Sequence, residues 1–396
     1  MNLQPLPARK YSKIEWTLLG SVLCLMVVGL LFVYSSTYNN DVLHNLYLKQ
    51  LIWYFVGTVA ACLCCLVDYH VLARWSFVSY WFTIFLLLTV MVVGQTVLGA
   101  KRWINLGLFK LQPSEFAKLA FILAMGHFLS RPVDELKQPR NFIKSIGMVA
   151  LPFLLILVEP DLGSALVFLP VALMMFFVGG VPRRYLVQVV ALSVGLVSLV
   201  LVDILFLPTR LQFVKLHRYQ QERLLTFFGK DFAPSGASEA EKQQMRVRQR
   251  DKSYNVEQAL ISVGSGGLTG KGWRQGKQIA LGYLPRAVAH NDFIFSVIAE
   301  EEGFVGSVIV ITLYAIVLFC GIKVAGEARD RLGKLLAVGV VSLFFGHIFI
   351  NIGMNIRIVP VTGVPLPLLS YGGSSVICSL VAIGILQNVY MYRRAY

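Results

Sequence analysis

Apolar residues gather in long blocks separated by short polar stretches. Ten blocks stand out, at 14–34, 50–67, 75–98, 114–130, 143–158, 163–180, 185–207, 293–322, 334–355 and 368–392. A helix needs roughly 20 apolar residues to cross a bilayer. The pattern therefore predicts an all-α polytopic membrane protein with about ten transmembrane helices. The fifth and sixth blocks are short and are joined by Glu159-Pro160-Asp161, so they read as tilted or broken. The eighth is too long for one straight span. Its part before Gly303 reads as standing above the bilayer or lining a cavity. The first block follows Arg9, Lys10 and Lys13, is too long for a signal-peptide core and lacks a small-x-small cleavage site, so it reads as a retained helix.

Composition agrees. The chain has 396 residues, 56% of them hydrophobic and 14% charged, against about 25% charged in a soluble domain. The net charge of +15 is spread over loops between apolar blocks. That placement fits membrane topology and anionic lipid better than nucleic acid. Lys and Arg also set the orientation. With the N-terminus inside, the inner segments hold 16 of them and the short outer loops hold 5, namely Lys49, Lys101, Arg102, Lys110 and Arg357. The positive-inside rule then puts both termini in the cytoplasm. Residues 208–291 become a large extracytoplasmic loop between helices seven and eight, inside a single membrane domain of 1–396. Within that loop 210–228 mixes apolar and basic residues like an interfacial helix. The polar tract 230–252 reads as flexible. The six cysteines fall in apolar blocks at no zinc-like spacing, so free buried thiols are expected. No internal repeat suggests an inverted-repeat transporter.

The chemistry concentrates where the long polar loop returns to apolar sequence, at 281–306 (LGYLPRAVAHNDFIFSVIAEEEGFVG). His290, Asn291 and Asp292 sit at the boundary, and Glu300, Glu301 and Glu302 follow. Acids at membrane depth are functional or firmly paired. Asp292 reads either as a catalytic base at the outer face or as the N-cap of the next helix. His127 and His347, in apolar helices, read as satisfied core groups.

Four other stretches stand out. At 99–107, Lys101 and Arg102 beside Trp103 suit a phosphate and a sugar or lipid, or form an aromatic belt with snorkelling cations. At 112–118, Pro113 and Glu115 make a good helix start. Glu115 and Lys118 are i,i+3 neighbours and read first as a structural ion pair. At 159–164, Glu159 and Asp161 flank a proline break, which is tolerated only against protein or water. It suits a cation site, a substrate contact or a hinge. At 262–273 (SVGSGGLTGKGW), Ser265, Gly266 and Lys271 form either an anion-binding turn or a flexible one. The segment matches no P-loop. Near the C-terminus, 365–375 (PLPLLSYGGSS) opens the last block with small residues that permit close helix packing.

Taken together these stretches resemble the SEDS family of bacterial cell-wall polymerases, which includes RodA, FtsW and SpoVE. The matching pieces are GAKRWINLG with QPSEFAKLA, EPDLGSA, VGSGGLTGKGW, HNDFIFSVIAEEEGFVG and PLPLLSYGGSS, in order over nearly the whole chain. The run 359–367 (VPVTGVPLP) is nearer the RodA, elongation-type pattern than the division-type one. The resemblance implies ten membrane helices, a large outer loop after the seventh, and an inverting peptidoglycan glycosyltransferase that uses lipid II as donor and acceptor. It implies a multi-pass protein of the bacterial cytoplasmic membrane, acting in cell-wall synthesis and cell shape with its site on the extracytoplasmic side. It places the family's essential acid on Asp292, its outer-loop tryptophan on Trp103, and its paired acid and lysine on Glu115 and Lys118. Its partners would be a class B penicillin-binding transpeptidase and other elongation-complex membrane proteins. The run 285–292 departs from the family's usual Pro-Glu-x-His-Thr-Asp, being two residues longer with Asn291 for the threonine.

In that frame Asp292 would take the proton of the attacking 4-hydroxyl. Lys101, Arg102, Lys271 and Arg274 are candidates to meet the leaving pyrophosphate, with Ser265, Gly266, His290 and Trp103 as further substrate contacts. Glu159, Asp161, Glu300 and Glu301 remain other candidate acids. No cofactor is required by the sequence, and a divalent cation is compatible with it. A lipid II flippase and a non-catalytic scaffold are the competing readings.

Overall fold

The computed structural model describes residues 14–38, 42–97, 100–105, 107, 110–206, 218–230 and 239–393. The first half runs α1 (Trp16–Thr37), α2 (Leu46–Leu66), α3 (Tyr69–Arg74) and α4 (Ser76–Val93), then β1 (Gln95–Val97), β2 (Ala100–Asn105) and β3 (Lys110–Leu111). It continues through α5 (Pro113–Leu129), α6 (Val133–Leu136), α7 (Pro139–Val158), α8 (Leu162–Val178) and α9 (Arg183–Phe206). The second half has α10 (Arg218–Phe228), α11 (Glu239–Ser265), α12 (Lys277–Ala280), α13 (Arg286–Ala289), α14 (Ile294–Glu327), α15 (Arg331–Asn355) and α16 (Gly373–Tyr392).

Eight of these, α1, α2, α4, α7, α9, α14, α15 and α16, are long and apolar enough to cross a membrane. The fourth and sixth predicted spans form α5 and α8, of 17 residues each, short of the roughly 20 a straight crossing needs. Helices outside the centre present large apolar side chains such as Phe85, Leu192 and Phe319 outward, as a lipid-facing surface does. The apolar window of α9 is 11% buried and that of α16 is 83% buried, so α9 lies at the rim and α16 at the core. α16 packs closely on α2. A Cβ at Gly384 would come 2.8 Å from the Ala61 carbonyl, so only glycine permits that approach. Lower down, the Asn388 amide donates to the carbonyls of Cys64 and Val67, where α2 ends.

Three features depart from the sequence prediction. First, 95–111 forms a three-stranded antiparallel sheet, with Trp103 opposite Gln95 and Ile104 opposite Leu111. Its strands carry no regular alternation of polar and apolar residues, so the stretch does not stand out between helices. Second, the tract expected to be flexible is helix from Glu239 onward, as part of α11. Its Ala, Glu, Gln, Lys and Arg are good helix formers. Residues 231–238, and 210–217 of the predicted interfacial helix, lie outside the described residues. Third, the last helix begins at Gly373, not 368. Leu368 adopts φ 65°, in the left-handed region, and cannot sit in a helix there. The cysteines are free as expected, but only Cys320 and Cys378 are buried.

The predicted break in the eighth block is present. Gly303 takes φ 66° and ψ −157° inside α14. The glycine-rich loop after α11 packs into that break: Phe304 N donates to the Gly267 carbonyl at 2.9 Å and Gly272 N to the Glu301 carbonyl at 2.8 Å. Gly270 has φ 78° and its missing Cβ would lie 2.1 Å from the Glu301 oxygen. Gly267 has φ 59° with open space around it. Gly267→Ala should therefore lose only the left-handed penalty of about 1–2 kcal/mol. Gly270→Ala should lower the melting temperature of the detergent-purified protein distinctly more, because backbone must move. Equal melting temperatures for the two variants would show that the loop does not depend on this contact.

Candidate active site

Asp292 lies just before α14. The N-cap position of that helix is Phe293, with no side-chain cap bond, so the capping reading of Asp292 fails. Its backbone is tightly held. Asp292 N donates to the Val288 carbonyl at 3.0 Å. Its own carbonyl accepts from Asn351 Nδ2 at 3.0 Å and Asn355 Nδ2 at 3.2 Å. Asn355 Oδ1 in turn accepts from Ser296 Oγ at 2.5 Å, and Asn351 Nδ2 also donates to the Val364 carbonyl at 2.7 Å. Two amides on one face of α15 thus fix the residue that carries the carboxylate.

The carboxylate faces a loop and two cations. A Cβ at Gly363 would lie 3.4 Å from Asp292 Oδ2 and 3.9 Å from Arg223 Nη2. Gly363 has φ 76°, a conformation that favours glycine. Arg223 donates through Nη1 to the Val361 carbonyl at 2.8 Å. Burial pushes the Asp292 carboxyl above its ordinary range; Arg223 and then Arg102 draw it back, and Asp161 adds to the rise. Burial likewise pulls Arg223 down to about 10.

Arg102 arrives from β2. It donates through Nη2 to the Pro160 carbonyl at 2.9 Å and lies 3.4 Å from Asp161 Oδ1. Asp161 caps α8 by accepting from Ser164 N at 3.2 Å, and also accepts from Gln112 Nε2 at 3.1 Å. The proline break is therefore a corner that carries a carboxylate to Arg102. Glu159, on the other side of that corner, is 2% exposed, and neither of its oxygens has a hydrogen-bond partner among the described residues. Burial, and next the Asp161 charge, push it up to about 8.

The remaining predicted residues separate into groups. Trp103 follows Arg102 on β2 and is half-buried, while Lys101 is exposed. The ring of His290 is buried edge-on to Tyr371, with centroids 5.6 Å apart. Lys118 Nζ donates to Glu115 Oε1 at 2.7 Å and to His347 Nε2 at 2.7 Å. His347 Nδ1 lies 2.9 Å from the Leu343 carbonyl, so that nitrogen carries the proton and Nε2 accepts. This is the predicted ion pair, extended by a histidine.

Lys271 is engaged with Glu300 Oε1 at 2.6 Å and Ser265 Oγ at 2.7 Å. Ser35 Oγ donates to both oxygens of Glu301, at 2.6 and 2.8 Å. Gly266 packs directly on the Ala299 carbonyl. Ser265, Gly266, Lys271, Glu300 and Glu301 thus knit loop to helix, and the N–H groups of Lys271 and Gly272 point at α14 carbonyls. Arg274 stacks over the Tyr38 ring, 3.4 Å from its centroid. Among the described residues no three His, Cys, Asp or Glu come together to hold a metal ion.

Sequence reasoning missed Arg223, Asn351, Asn355 and Gly363. The two asparagines left a signal: polar residues at i,i+4 in an apolar helix mark one functional face. Arg223 left none, being one of many cations in its segment. The arrangement that results is a proton acceptor held by its backbone, with two guanidinium groups bearing on it. Such a corner can deprotonate a hydroxyl and stabilise an anion.

Comparisons with known proteins identify the family. Residues 15–395 match the cell cycle protein family of FtsW, RodA and SpoVE. The peptidoglycan glycosyltransferase RodA of Treponema pallidum is 34% identical, over 96% of this chain and 98% of its own. The peptidoglycan glycosyltransferase MrdB of Escherichia coli K12 is 32% identical, over 96% and 94%. A chain solved in a peptidoglycan synthase complex that coordinates polymerization and crosslinking has a TM-score of 0.75 at 26% identity, covering 96% of this chain and 98% of that one. The rod shape determining protein RodA of Thermus thermophilus has a TM-score of 0.65 at 25% identity, with the same coverage. This chain belongs to the FtsW, RodA and SpoVE family of cell cycle proteins.

Proposed function

We propose that the chain is a peptidoglycan glycosyltransferase that polymerises lipid II during cell elongation, with Asp292 as general base. One observation carries the reading. Asp292 is fixed through its carbonyl by Asn351 and Asn355 while its carboxylate feels Arg223 and Arg102. The relatives named as peptidoglycan glycosyltransferases cover nearly the whole chain, and the basic loops support an extracytoplasmic position for this end of the bundle.

In this mechanism the 4-hydroxyl of the acceptor sugar attacks the anomeric carbon of the donor. The new carbon–oxygen bond forms as the bond to the pyrophosphate oxygen breaks, which inverts the centre. The hydroxyl proton passes to Asp292. A hydroxyl is a weak nucleophile at neutral pH, and a placed carboxylate contributes roughly 10²–10⁴-fold. Arg102 and Arg223 face the charge that develops on the departing pyrophosphate. Trp103 offers an apolar face beside Arg102. Lys271 is held against Glu300 and Arg274 over the Tyr38 ring, in the loop that packs on α14. The solved synthase complex supports a crosslinking partner of the class B penicillin-binding type.

Asp292→Asn should insert and fold normally yet lose at least about 10²-fold in glycan formation, measured with purified protein, partner transpeptidase and lipid II. Chains formed at the wild-type rate would remove Asp292 from the mechanism. Asn351→Ala with Asn355→Ala should lower turnover on the order of 10²-fold by displacing the carboxylate, with little change in KM. A change confined to KM would assign the pair to substrate binding instead. The pH profile gives a third test. The base must be ionised, and the Arg223 charge lowers the Asp292 pKa. Arg223→Gln should therefore move the acid limb of kcat/KM to higher pH, and an unmoved limb would uncouple the two residues.

A further inference from the structure

At the end of the bundle opposite Asp292, α4, α5 and α7 line an open groove of about 360 Å³. Tyr80 and Trp81 of α4, Phe128 of α5, and Met148 and Leu151 of α7 form its apolar wall. The Tyr80 hydroxyl in that wall already donates to the Met148 carbonyl at 3.0 Å. Two cations, Arg131 just beyond α5 and Lys144 near the start of α7, stand at its mouth. Both are exposed. The Arg131 guanidinium lies over the Phe128 ring, 4.7 Å from its centroid, which holds it at the opening. Neither cation forms an ion pair among the described residues, whereas Lys137 nearby is taken up by Asp134 at 2.8 Å. Gly147 also lines the groove, and an added Cβ there would meet nothing within 4 Å. A glycine inside a helix is about 1 kcal/mol less favourable than alanine, so an empty position here has a physical cost.

We propose that this groove binds one anionic phospholipid from the leaflet opposite the candidate active site. Its phosphate sits between Arg131 and Lys144, and an acyl chain lies along the aromatic wall. The volume suits a single ligand rather than a packed protein segment, and a basic pocket between membrane helices is matched in charge to an acidic headgroup. The site stands apart from the glycosyl-transfer reading and requires only that the chain spans a membrane.

The test is native mass spectrometry of the detergent-purified full chain. It is titrated with phosphatidylglycerol or with phosphatidylcholine of the same acyl chains. The wild type should retain one phosphatidylglycerol more tightly than phosphatidylcholine. Arg131→Gln and Lys144→Gln should each weaken that retention about fivefold. Gly147→Trp, which fills open space, should abolish it while leaving the protein monodisperse. Soluble glycerol phosphate should not compete, since it lacks the chain that occupies the wall. Equal retention of both lipids, or retention unchanged by the two charge variants, would mean ordinary boundary lipid and overturn the proposal. Loss of transpeptidase association in Gly147→Trp with lipid retention intact would assign the groove to a partner helix, and would overturn it equally.

Discussion

Inside a bilayer every backbone carbonyl freed by a broken helix must find a donor within the protein. This constraint shapes the segment between α15 and α16. It is irregular, yet its carbonyls are met one by one. Tyr54 donates to Leu368 at 2.5 Å and Tyr314 to Pro367 at 2.5 Å. Gln50 donates to Ser370 at 3.2 Å, and Asn351 to Val364 at 2.7 Å. Donors from α2, α14 and α15 thus hold in place a strand of chain that could not persist in lipid alone. The same segment carries Gly363 and Val361 to Asp292 and Arg223. Satisfying the backbone and building the site are one act.

The charges follow a related logic. Buried ions are tolerated when opposite signs are close and hydrogen bonds fill the remaining valences. Arg102 bridges to Asp161, which is also met by a helix N–H and by Gln112. Lys118 lies between Glu115 and the unprotonated face of His347. Lys271 is matched to Glu300, whose oxygen also accepts from Gln278 N at 3.1 Å. Each such unit ties together elements far apart in sequence. The polar residues that look anomalous in an apolar chain are mostly its cross-links.

Much of this could be read from the residues. The apolar blocks located the membrane helices to within a few residues, because lipid imposes both length and composition. Glu159-Pro160-Asp161 announced a break, and Gly303 announced another, since proline and glycine act locally. Asp292 was visible because an acid at a membrane edge is expensive. The role of 262–273 was not legible. Its glycines suit a phosphate or a backbone equally well, and only the position of the Ala299 and Glu301 carbonyls decides. Arg223 was hidden for a similar reason: a cation in a long loop gains meaning only from what the fold sets opposite it. The small sheet that delivers Arg102 was overlooked because its strands, none longer than six residues, carry no polar–apolar alternation.

One detail of the corner between α7 and α8 has an electrostatic consequence. With a pKa of about 8 and no hydrogen-bond partner among the described residues, Glu159 favours its protonated form at neutral pH. A protonated carboxyl at this corner spares the neighbouring Arg102–Asp161 pair a second buried negative charge.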